Sequence, residues 1–462
     1  APPDDSQIAN QLGRRMMDKE FAASGQINTI AEGPDWAALE ASGTGMPVPE
    51  SLSIDPFDGK GYWLIAKEGE VAAAKTPFAP GRFPVKTSHA QPSHENPGFL
   101  GAEACRQCHP NKMESFVHTA HYRTSRFASP NEIAGSFDEG SNALRTRDPG
   151  VDFKMVRRGE RSYQRARLFD WKFEVPFDIT IGSGKLGESY LYWHRDQLFQ
   201  SNASYVSKED RWINSPGYVD GDATYDRTIR SRCVDCHFTY ADYREPPNHY
   251  TPESFLMGVT CERCHGPGQD HVNHHQQHPE EKSAAFMSVP TQLSRKKQLQ
   301  LCGQCHTTVT PITSSPFSFR PGDDLAQHYA APDPSKEGDG VHSSNQLTRI
   351  AMSKCFEQSE MACAECHNLH QQERGDMALF SQRCLACHQV AQCGVEDHRL
   401  DSIDLAANCI DCHMPRRAGA KMKLETAQGS VFPPLRDHHI RIDRKATESH
   451  LNSTRLHSTE QP

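Results

Sequence analysis

The chain has 462 residues, a formal net charge of −9 and 36% hydrophobic residues, with a mean hydropathy of −0.71. This composition excludes an aliphatic core of the usual size for such a length, and the acidic balance argues against nucleic acid as a partner. No window approaches 18 consecutive apolar residues, so the sequence predicts no transmembrane segment.

The first predicted element, residues 1–98, contains no cysteine and is interpreted as an N-terminal arm or small domain. Its end, Thr76 to Pro97, is rich in proline and small polar residues, which is typical of an extended linker. The chain starts at Ala1 without a methionine, a charged n-region or an apolar h-region. We interpret this start as that of the mature form of an exported protein.

Residues 99–140 hold the first copy of a recurring motif, Cys105-Arg106-Gln107-Cys108-His109. Two thiols three positions apart can form thioethers to the two vinyl groups of one haem, and the next imidazole then lies under the iron as proximal ligand. Zinc ribbons instead need two cysteine pairs per metal, and thioredoxin-like dithiols need no following histidine. The motif therefore predicts covalently attached haem c, in a chain exported to the periplasm.

Residues 141–228 are predicted to form an antiparallel β insertion between the first and second motifs. Runs rich in β-forming residues alternate there with glycine or charged turns. One run contains His194, which is therefore interpreted as a sheet residue rather than a ligand. The predicted strands are Val151 to Val156, Ser162 to Arg167, Trp171 to Ile181, Ser189 to His194 and Leu198 to Val206.

Residues 229–445 contain six more motif copies, so we predict seven haems in all. This density leaves little room for conventional domains, and we expect a mainly α and irregular fold built around stacked haems, whose faces serve as the core. The segment Thr291 to Leu301 is the clearest predicted helix and leads into the fourth motif. The tail, residues 446–462, is polar and is predicted to fray.

Each motif supplies two thioether cysteines and one proximal histidine. The predicted thioether residues are Cys105, Cys108, Cys233, Cys236, Cys261, Cys264, Cys302, Cys305, Cys363, Cys366, Cys384, Cys387, Cys409 and Cys412. The predicted proximal iron ligands are His109, His237, His265, His306, His367, His388 and His413.

Several segments resemble a known superfamily of multihaem proteins. Gly101 to Pro110, followed by Phe116 to His121, resembles the first-haem signature of the superfamily that contains hydroxylamine oxidoreductase and its small tetrahaem electron acceptor. Gly258 to His271, Cys363 to His370 and Asn408 to Pro415 resemble further segments of that group. The β insertion resembles the subset often fused to tetratricopeptide repeats.

The resemblance covers residues 99 to 445 and implies a haem-stack fold without naming a reaction. Nitrite and tetrathionate reductases of the group use a Cys-x-x-Cys-Lys motif, which this chain lacks. That difference counts against those activities. It leaves open an oxidoreductase with a histidine-ligated open haem, as in hydroxylamine oxidoreductase.

Removing the seven motif histidines from 25 leaves 18, enough to give every iron a second imidazole. Such bis-histidine irons pass electrons but offer no site for a substrate. For each nominated ligand, a surface or hydrogen-bonded histidine is the alternative. The cluster His274, His275 and His278 is interpreted as a solvated polar turn, with metal capture as the alternative. The resemblance nominates as distal ligands His118 or His121, His249, His271, His370, His398 and His438 or His439, with His328 or His342 as a seventh.

Two cysteines, Cys355 and Cys393, lie outside the motifs. Because two cysteines are left over in a protein of an oxidising compartment, we predict a disulfide between them. The alternative is that one thiolate ligates an iron or handles a sulfur substrate.

Three functions stay open at this point. The first is a periplasmic electron carrier that relays electrons between redox protein partners, with a quinol-linked membrane complex as one candidate donor. The second is an enzyme in which one open haem acts on a small nitrogen or sulfur compound. The third is a docking subunit of a larger redox complex or a homo-oligomer, for which the haem-free N-terminal arm is the motivation.

Overall fold

The computed structural model describes residues 52–57, 61–66, 73–76 and 96–458, apart from residues 170, 195, 224, 226, 245–247, 333–339, 395–403 and 420–422. Inside the predicted N-terminal arm, strands β1 (Leu52–Phe57), β2 (Gly61–Ala66) and β3 (Ala73–Thr76) pair antiparallel in one sheet. The rest of that arm and nearly all of its predicted linker lie outside the described residues.

Two larger antiparallel sheets occupy the region between the first and third motifs. Their strands are β4 (Ser125–Phe127), β5 (Ala143–Arg145), β6 (Val151–Arg158), β7 (Arg161–Leu168), β8 (Trp171–Pro176), β9 (Ile179–Ile181), β10 (Gly187–His194), β11 (Gln197–Gln200), β12 (Ala203–Val206), β13 (Arg211–Asn214), β15 (Tyr243–Arg244) and β16 (His249–Tyr250). The first sheet has the order β5-β6-β7-β8. The second has the order β13-β12-β10-β11-β16-β15, with β9 paired to β10 and β4 paired to β9.

Short two-stranded pairs lie between and after the later motifs. They are β14 (Phe238–Tyr240) with β17 (Leu256–Met257), β18 (Arg416–Ala418) with β21 (Pro434–Arg436), and β19 (Leu424–Thr426) with β20 (Gly429–Val431).

The hairpin β6–β7 shows how the sequence pattern specifies the first sheet. Val151, Phe153 and Met155 alternate with half-exposed neighbours and are buried, as expected when one face of a sheet covers a core. The two-residue turn between the strands begins at Gly159, whose φ of 54° is the left-handed value that such turns need.

Two predicted strands are each divided in the structure. The run Trp171 to Ile181 breaks after Pro176, because proline has no N–H for the ladder, and its two parts join different sheets. The run Leu198 to Val206 breaks at residues 201–202, so that β11 and β12 pair with different parts of β10. The second sheet also takes in β4, β15 and β16, which lie outside the predicted insertion of residues 141–228.

The α-helices are short, and most of them carry or adjoin a motif. The predicted helix Thr291 to Leu301 is instead a 3₁₀ turn, Pro290–Gln292, followed by a helix that runs through the fourth motif. The tail predicted to fray is helical to Ser458. The α-helices are Ala102–Arg106, Pro110–Phe116, Ser231–His237, Cys261–His265, Gln269–Gln277, Arg295–His306, Gln346–Ile350, Lys354–Glu357, Met377–Leu385, Ile410–His413 and Arg444–Ser458.

Further 3₁₀ turns connect these elements. They are Tyr122–Thr124, Pro252–Ser254, Leu325–Gln327, Ser343–Asn345, Cys363–Glu365 and Val390–Gln392. The prediction of a mainly α and irregular fold therefore holds only in part, because antiparallel sheets are as prominent as helices. No helix among the described residues is long and apolar enough to cross a membrane.

Two aromatic-rich cores explain why the sheets stay together. The first joins the two large sheets through side chains such as Phe153, Tyr190 and Trp212. The second joins the larger sheet to the second motif, because Tyr250 packs in one cluster with Val234 of that motif. Each buried aromatic side chain contributes about 2 kcal/mol through area removed from water.

Beyond residue 260 the described apolar cluster is small. Its buried members are Leu301, Phe319 and Tyr329, with Ile312 and Leu325 packed against them. Other buried apolar side chains in this part of the chain, such as Val341 and Phe356, lie outside that cluster. A segment whose clustered apolar core is so small needs other groups to fill its interior, as the haem-core prediction requires.

Candidate haem-binding sites

Each motif lies on or beside a helical turn that places its first cysteine and its histidine on one face. In the first, fifth, sixth and seventh motifs, the histidine N–H donates to the carbonyl of the first cysteine at 2.9–3.1 Å. Residues four apart on a helix lie on the same side. The local structure therefore lets two thioether sulfurs and one imidazole meet a single haem.

Four proximal histidines each lie opposite a second imidazole. The ring centroids of these pairs are 6.1–6.4 Å apart, and three of the pairs are nearly parallel. The pairs are His109 with His271 at 6.4 Å, His306 with His121 at 6.1 Å, His265 with His370 at 6.2 Å, and His367 with His438 at 6.1 Å.

That separation fits one iron between two rings. An imidazole nitrogen lies about 2 Å from a metal that it ligates. Two imidazoles on opposite faces of one iron therefore have centroids about 6 Å apart, whatever the angle between their planes. The described pairs match this distance.

Backbone carbonyls fix the orientation of several of these rings. Nδ1 of His265 donates to the Ser288 carbonyl at 2.8 Å, and Nδ1 of His271 donates to the Ala285 carbonyl at 2.8 Å. A carbonyl only accepts, so the proton is on Nδ1 and Nε2 keeps its lone pair for a metal. The same bond joins His306 to Ser343 at 2.8 Å and His413 to Arg441 at 3.0 Å.

Burial favours the neutral form of several of the paired imidazoles, and metal ligation requires a neutral imidazole. It lowers the pKa of His121 to about 4 and that of His438 to about 4. Burial also lowers the pKa of His237, whose Nδ1 lies 3.1 Å from the Thr124 hydroxyl. Within the described residues, no imidazole ring contacts His237, His388 or His413.

Three further nominated histidines make other contacts. His328 uses both ring nitrogens, with Nε2 3.0 Å from Asp323 and Nδ1 within 3.2 Å of two serine hydroxyls. His342 accepts the Ser344 N–H at Nδ1 and caps a 3₁₀ turn. His249 lies in β16, with Nδ1 3.2 Å from Asp196.

Two of the remaining proposed distal ligands were given as alternatives between nearby histidines. His118 is exposed, whereas His121 is the member of that pair that lies opposite a proximal ring. His439 is half-buried beside His438, and its backbone N–H donates to Asp437 at 3.0 Å. His398 and the side chain of His194 lie outside the described residues.

Cysteine contacts record which motifs are adjacent. A hydrogen bond between the thiols of Cys105 and Cys261 raises the pKa of Cys105 and joins the first motif to the third. In haem-loaded protein these sulfurs are thioethers, so the contacts report position and not protonation. The same kind of contact joins the second motif to the fourth through Cys236 and Cys305, and the fourth to the fifth through Cys302 and Cys363.

The last three motifs follow one another in space as in sequence. Burial, followed by the neighbouring thiols of Cys409 and Cys366, raises the pKa of Cys384 to about 11. The Ser381 hydroxyl accepts the Cys409 N–H at 2.9 Å, which ties the sixth motif's helix to the seventh motif. On the same helix, Arg383 donates to the Cys366 carbonyl at 2.6 Å, which ties the sixth motif to the fifth.

The two cysteines outside the motifs lie beside different motifs. Cys355 is among the thiols that raise the pKa of Cys384, after burial and nearer thiols. The Cys393 thiol likewise makes a small contribution to the raised pKa of Cys412. Both Cys355 and Cys393 are free thiols here, as are all the motif cysteines, so the disulfide between them stays a prediction.

The histidine cluster on helix Gln269–Gln277 is held by local contacts. Nε2 of His274 is hydrogen-bonded to Glu281, and Nε2 of His275 donates to the Ser283 carbonyl at 3.0 Å. In the part of the chain that the structure describes, no group of three or more histidine, cysteine or acidic side chains is arranged to hold a metal ion.

Sequence reasoning missed the residues between the motif cysteines. Asp235, Arg263 and Gln304 each precede the second cysteine of their motif and are buried together. The sequence does place an acidic residue, Asp235, and a basic residue, Arg263, at the same position of two motifs, which is the one sign of a contact between them. Their contact depends on how the motifs pack, which spacing alone does not give.

Comparisons with known proteins agree with the motifs on the class of protein. The family model for cytochrome c554 and c-prime matches residues 187–266. The chain is 20% identical over 388 residues to dissimilatory sulfite reductase MccA of Wolinella succinogenes, covering 69% of this chain and 50% of that protein. The chain thus spans half the length of this curated relative.

Two solved structures are similar at low identity. The outer cell wall cytochrome OcwA has a TM-score of 0.45 and 16% identity, over 76% of this chain and 81% of that one. The undecahaem S-layer cytochrome of Carboxydothermus ferrireducens has a TM-score of 0.35 and 14% identity, over 74% of this chain and 55% of that one. The motifs, the family match and the curated relative make this chain a multihaem c-type cytochrome with covalently bound haem.

Proposed function

We propose that this multihaem c-type cytochrome carries seven haems and relays electrons along them between redox protein partners in the periplasm. The observation that carries the proposal is the set of four imidazole pairs with centroids 6.1–6.4 Å apart. Two imidazoles close an iron to substrates while leaving it able to exchange electrons. A quinol-linked membrane complex is the proposed donor.

The proposed distal ligands follow from these pairs. They come from segments far from the motifs that they serve, so each pair also ties two parts of the chain together. We propose His271 for the first motif, His370 for the third, His121 for the fourth and His438 for the fifth.

The motif contacts give the relay a proposed order. The first motif adjoins the third and the fourth adjoins the fifth, which leads to the sixth and seventh. Arg263 of the third motif donates to Gln304 of the fourth at 2.7 Å, which completes the route. The second motif joins at the fourth through Cys236 and Cys305. Haem iron supplies the one-electron chemistry, and the chain sets its ligands and surroundings.

Two adjacent histidines provide a matched test. Replacing His121 by alanine removes a proposed ligand and is expected to convert one haem from low-spin to high-spin, with new binding of carbon monoxide. Replacing exposed His118 by alanine is the control and should leave the electron paramagnetic resonance (EPR) and optical spectra unchanged. Equal spectra for the two variants would contradict the proposed ligation.

A second candidate function is reduction of a small sulfur or nitrogen compound. It is favoured by the similarity to a sulfite reductase and by His237, a half-buried proximal histidine that no described imidazole ring contacts. An iron at that motif with no second side-chain ligand could bind such a compound. Titrating the oxidised protein with sulfite, nitrite or hydroxylamine tests this: a spectral change in one haem supports it, and three inert titrations would rule it out.

A further inference from the structure

One position of the haem motif brings charged side chains together. The residue directly before the second cysteine is Asp235 in the second motif, Arg263 in the third and Gln304 in the fourth. These residues are 1%, 4% and 5% exposed. Each is joined by one peptide bond to a thioether cysteine, so all three lie beside haem attachment points.

The three side chains belong to one hydrogen-bonded network. Arg263 donates to the Asp235 carboxylate at 3.3 Å, to the Asp235 carbonyl at 2.9 Å and to Gln304 Oε1 at 2.7 Å. Arg232 donates to the same carboxylate at 3.0 Å and to the Gln304 carbonyl at 2.6 Å. The Tyr329 hydroxyl donates to the carboxylate at 2.8 Å, and the Arg232 guanidinium lies 4.4 Å from the Tyr329 ring centroid.

The network carries a net positive charge. Its two guanidinium groups do not deprotonate in proteins, and both donate to the single Asp235 carboxylate. Two cations and one anion leave one uncompensated positive charge. Nε of Arg263 is buried without a hydrogen-bond partner among the described residues, so that cation is only partly paired. Salt and water screen such a buried charge weakly.

We infer that the network of Asp235, Arg232 and Arg263 sets the reduction potentials of the haems at the second, third and fourth motifs. This inference rests on the proposed electron relay. Each reduction adds one electron to a ferric iron and breaks no bond. A fixed cation nearby stabilises the added negative charge and raises the potential, whereas a carboxylate lowers it.

With these potentials, the haems of the second, third and fourth motifs would store electrons within the relay. These three motifs adjoin one another, and the fourth also contacts the fifth, which leads toward the last two. A net cation shared by three haems lets them fill with electrons before haems without such a neighbour. These residues act on the irons through charge and do not touch a substrate.

Opposite charge changes test the inference in haem-loaded, full-length protein. Asp235→Asn removes the anion and is expected to raise the midpoint potentials of the affected haems, and Arg263→Met removes a cation and is expected to lower them. The expected size is at least a tenfold change in the reduced-to-oxidised ratio at fixed applied potential, about 59 mV for one electron. Redox titration followed by optical and EPR spectra measures both.

Charge-conserving variants are the controls. Arg263→Lys and Asp235→Glu alter packing but keep charge, so their titration curves should stay near wild type. Each variant must also keep the wild-type haem content, measured as intact mass, and the wild-type low-spin spectrum. If Arg263→Met yields no haem-loaded protein, Arg232→Met takes its place with the same expected sign.

The outcomes separate this inference from the relay itself. Opposite shifts for the two charge changes support it. Shifts of the same sign, as general exposure to water would cause, or no shifts at all would overturn it while leaving the relay intact. Wild-type protein without low-spin, bis-histidine signals would instead contradict the proposed function.

Discussion

At the scale of single residues, backbone carbonyls orient the imidazoles. The Ser288 carbonyl holds His265, and the Ala285 carbonyl holds His271. Because no side-chain acceptor is involved, substitutions at those two acceptor positions leave the bonds available. We therefore expect substitutions to matter most at the ligands themselves and at buried charged residues. Two buried carboxylic acids, Asp148 and Asp437, give separate predictions.

Asp148 is a buried carboxylic acid in the β region, and we expect it to make folding depend on pH. Burial raises its pKa from 3.8 to about 6, against the opposing effects of the Gly150 N–H and Arg167, and Asp220 raises it further. Because the folded pKa lies above the unfolded one, this stabilising contribution is complete below pH 4 and is lost as the pH rises to about 6. The free energy of unfolding should fall by about 3 kcal/mol across that range.

Asp148→Asn tests this prediction. The amide can still accept the Gly150 N–H, which Asp148 accepts at 2.7 Å, but it does not titrate. The variant should therefore gain stability relative to wild type between pH 4 and pH 7, measured by thermal unfolding at both values. A difference between the two proteins that does not change with pH would show that Asp148 is not responsible.

Asp437 anchors the segment that carries His438. It is fully buried and accepts from Arg349 at 2.9 and 2.8 Å and from Arg441 at 3.0 Å. Arg349→Met should lower stability by about 3 kcal/mol, because it leaves a buried carboxylate short of a cation. It should also make the fifth motif's haem partly accessible to carbon monoxide.

Arg417→Met is the control for that change. Arg417 is half-exposed and lies 3.8 Å from the Asp437 carboxylate, so it should matter by about 1 kcal/mol or less. Thermal unfolding and carbon monoxide difference spectra compare the two variants. Similar effects from both would mean that Asp437 does not depend on Arg349 for its place.

At the scale of elements, motif helices and sheets rely on partners distant in sequence. Helix Arg444–Ser458 packs on helix Ile410–His413 of the seventh motif, and a hydrogen bond joins Thr447 to Cys412. A polar composition predicted this tail to fray, yet Leu451 on it is 3% exposed. The tail packs an apolar residue and a helix face against the rest of the chain, and its polar composition gives no sign of that contact.

The C-terminal helix can be tested through that residue. Leu451→Ala is expected to cost about 3 kcal/mol in the free energy of unfolding, because it leaves a cavity against the seventh motif. Ile442→Ala, at a side chain that is 83% exposed, should change stability little. Denaturant unfolding followed at the haem absorption band compares them, and equal midpoints would show that the helix does not support the motif.

At the scale of the whole molecule, the sequence predicts local features better than contacts between distant segments. Turns and alternation gave most strands of the sheets, and the motif cysteines and proximal histidines are predictions from local chemistry. The sequence could not select His121 over His118 or His438 over His439. That choice depends on which of the two side chains lies opposite a proximal histidine of another motif. It also could not foresee the contact between Asp235 and Arg263, which depends on how three motifs pack.

We propose that paired imidazoles close at least four irons of this chain. Low-temperature EPR of the oxidised wild-type protein, with carbon monoxide titration of the reduced protein and haem counting by intact mass, is the first test of this ligation. We expect seven haems, at least four of them low-spin and inert to carbon monoxide. Carbon monoxide binding to four or more of seven haems would contradict it.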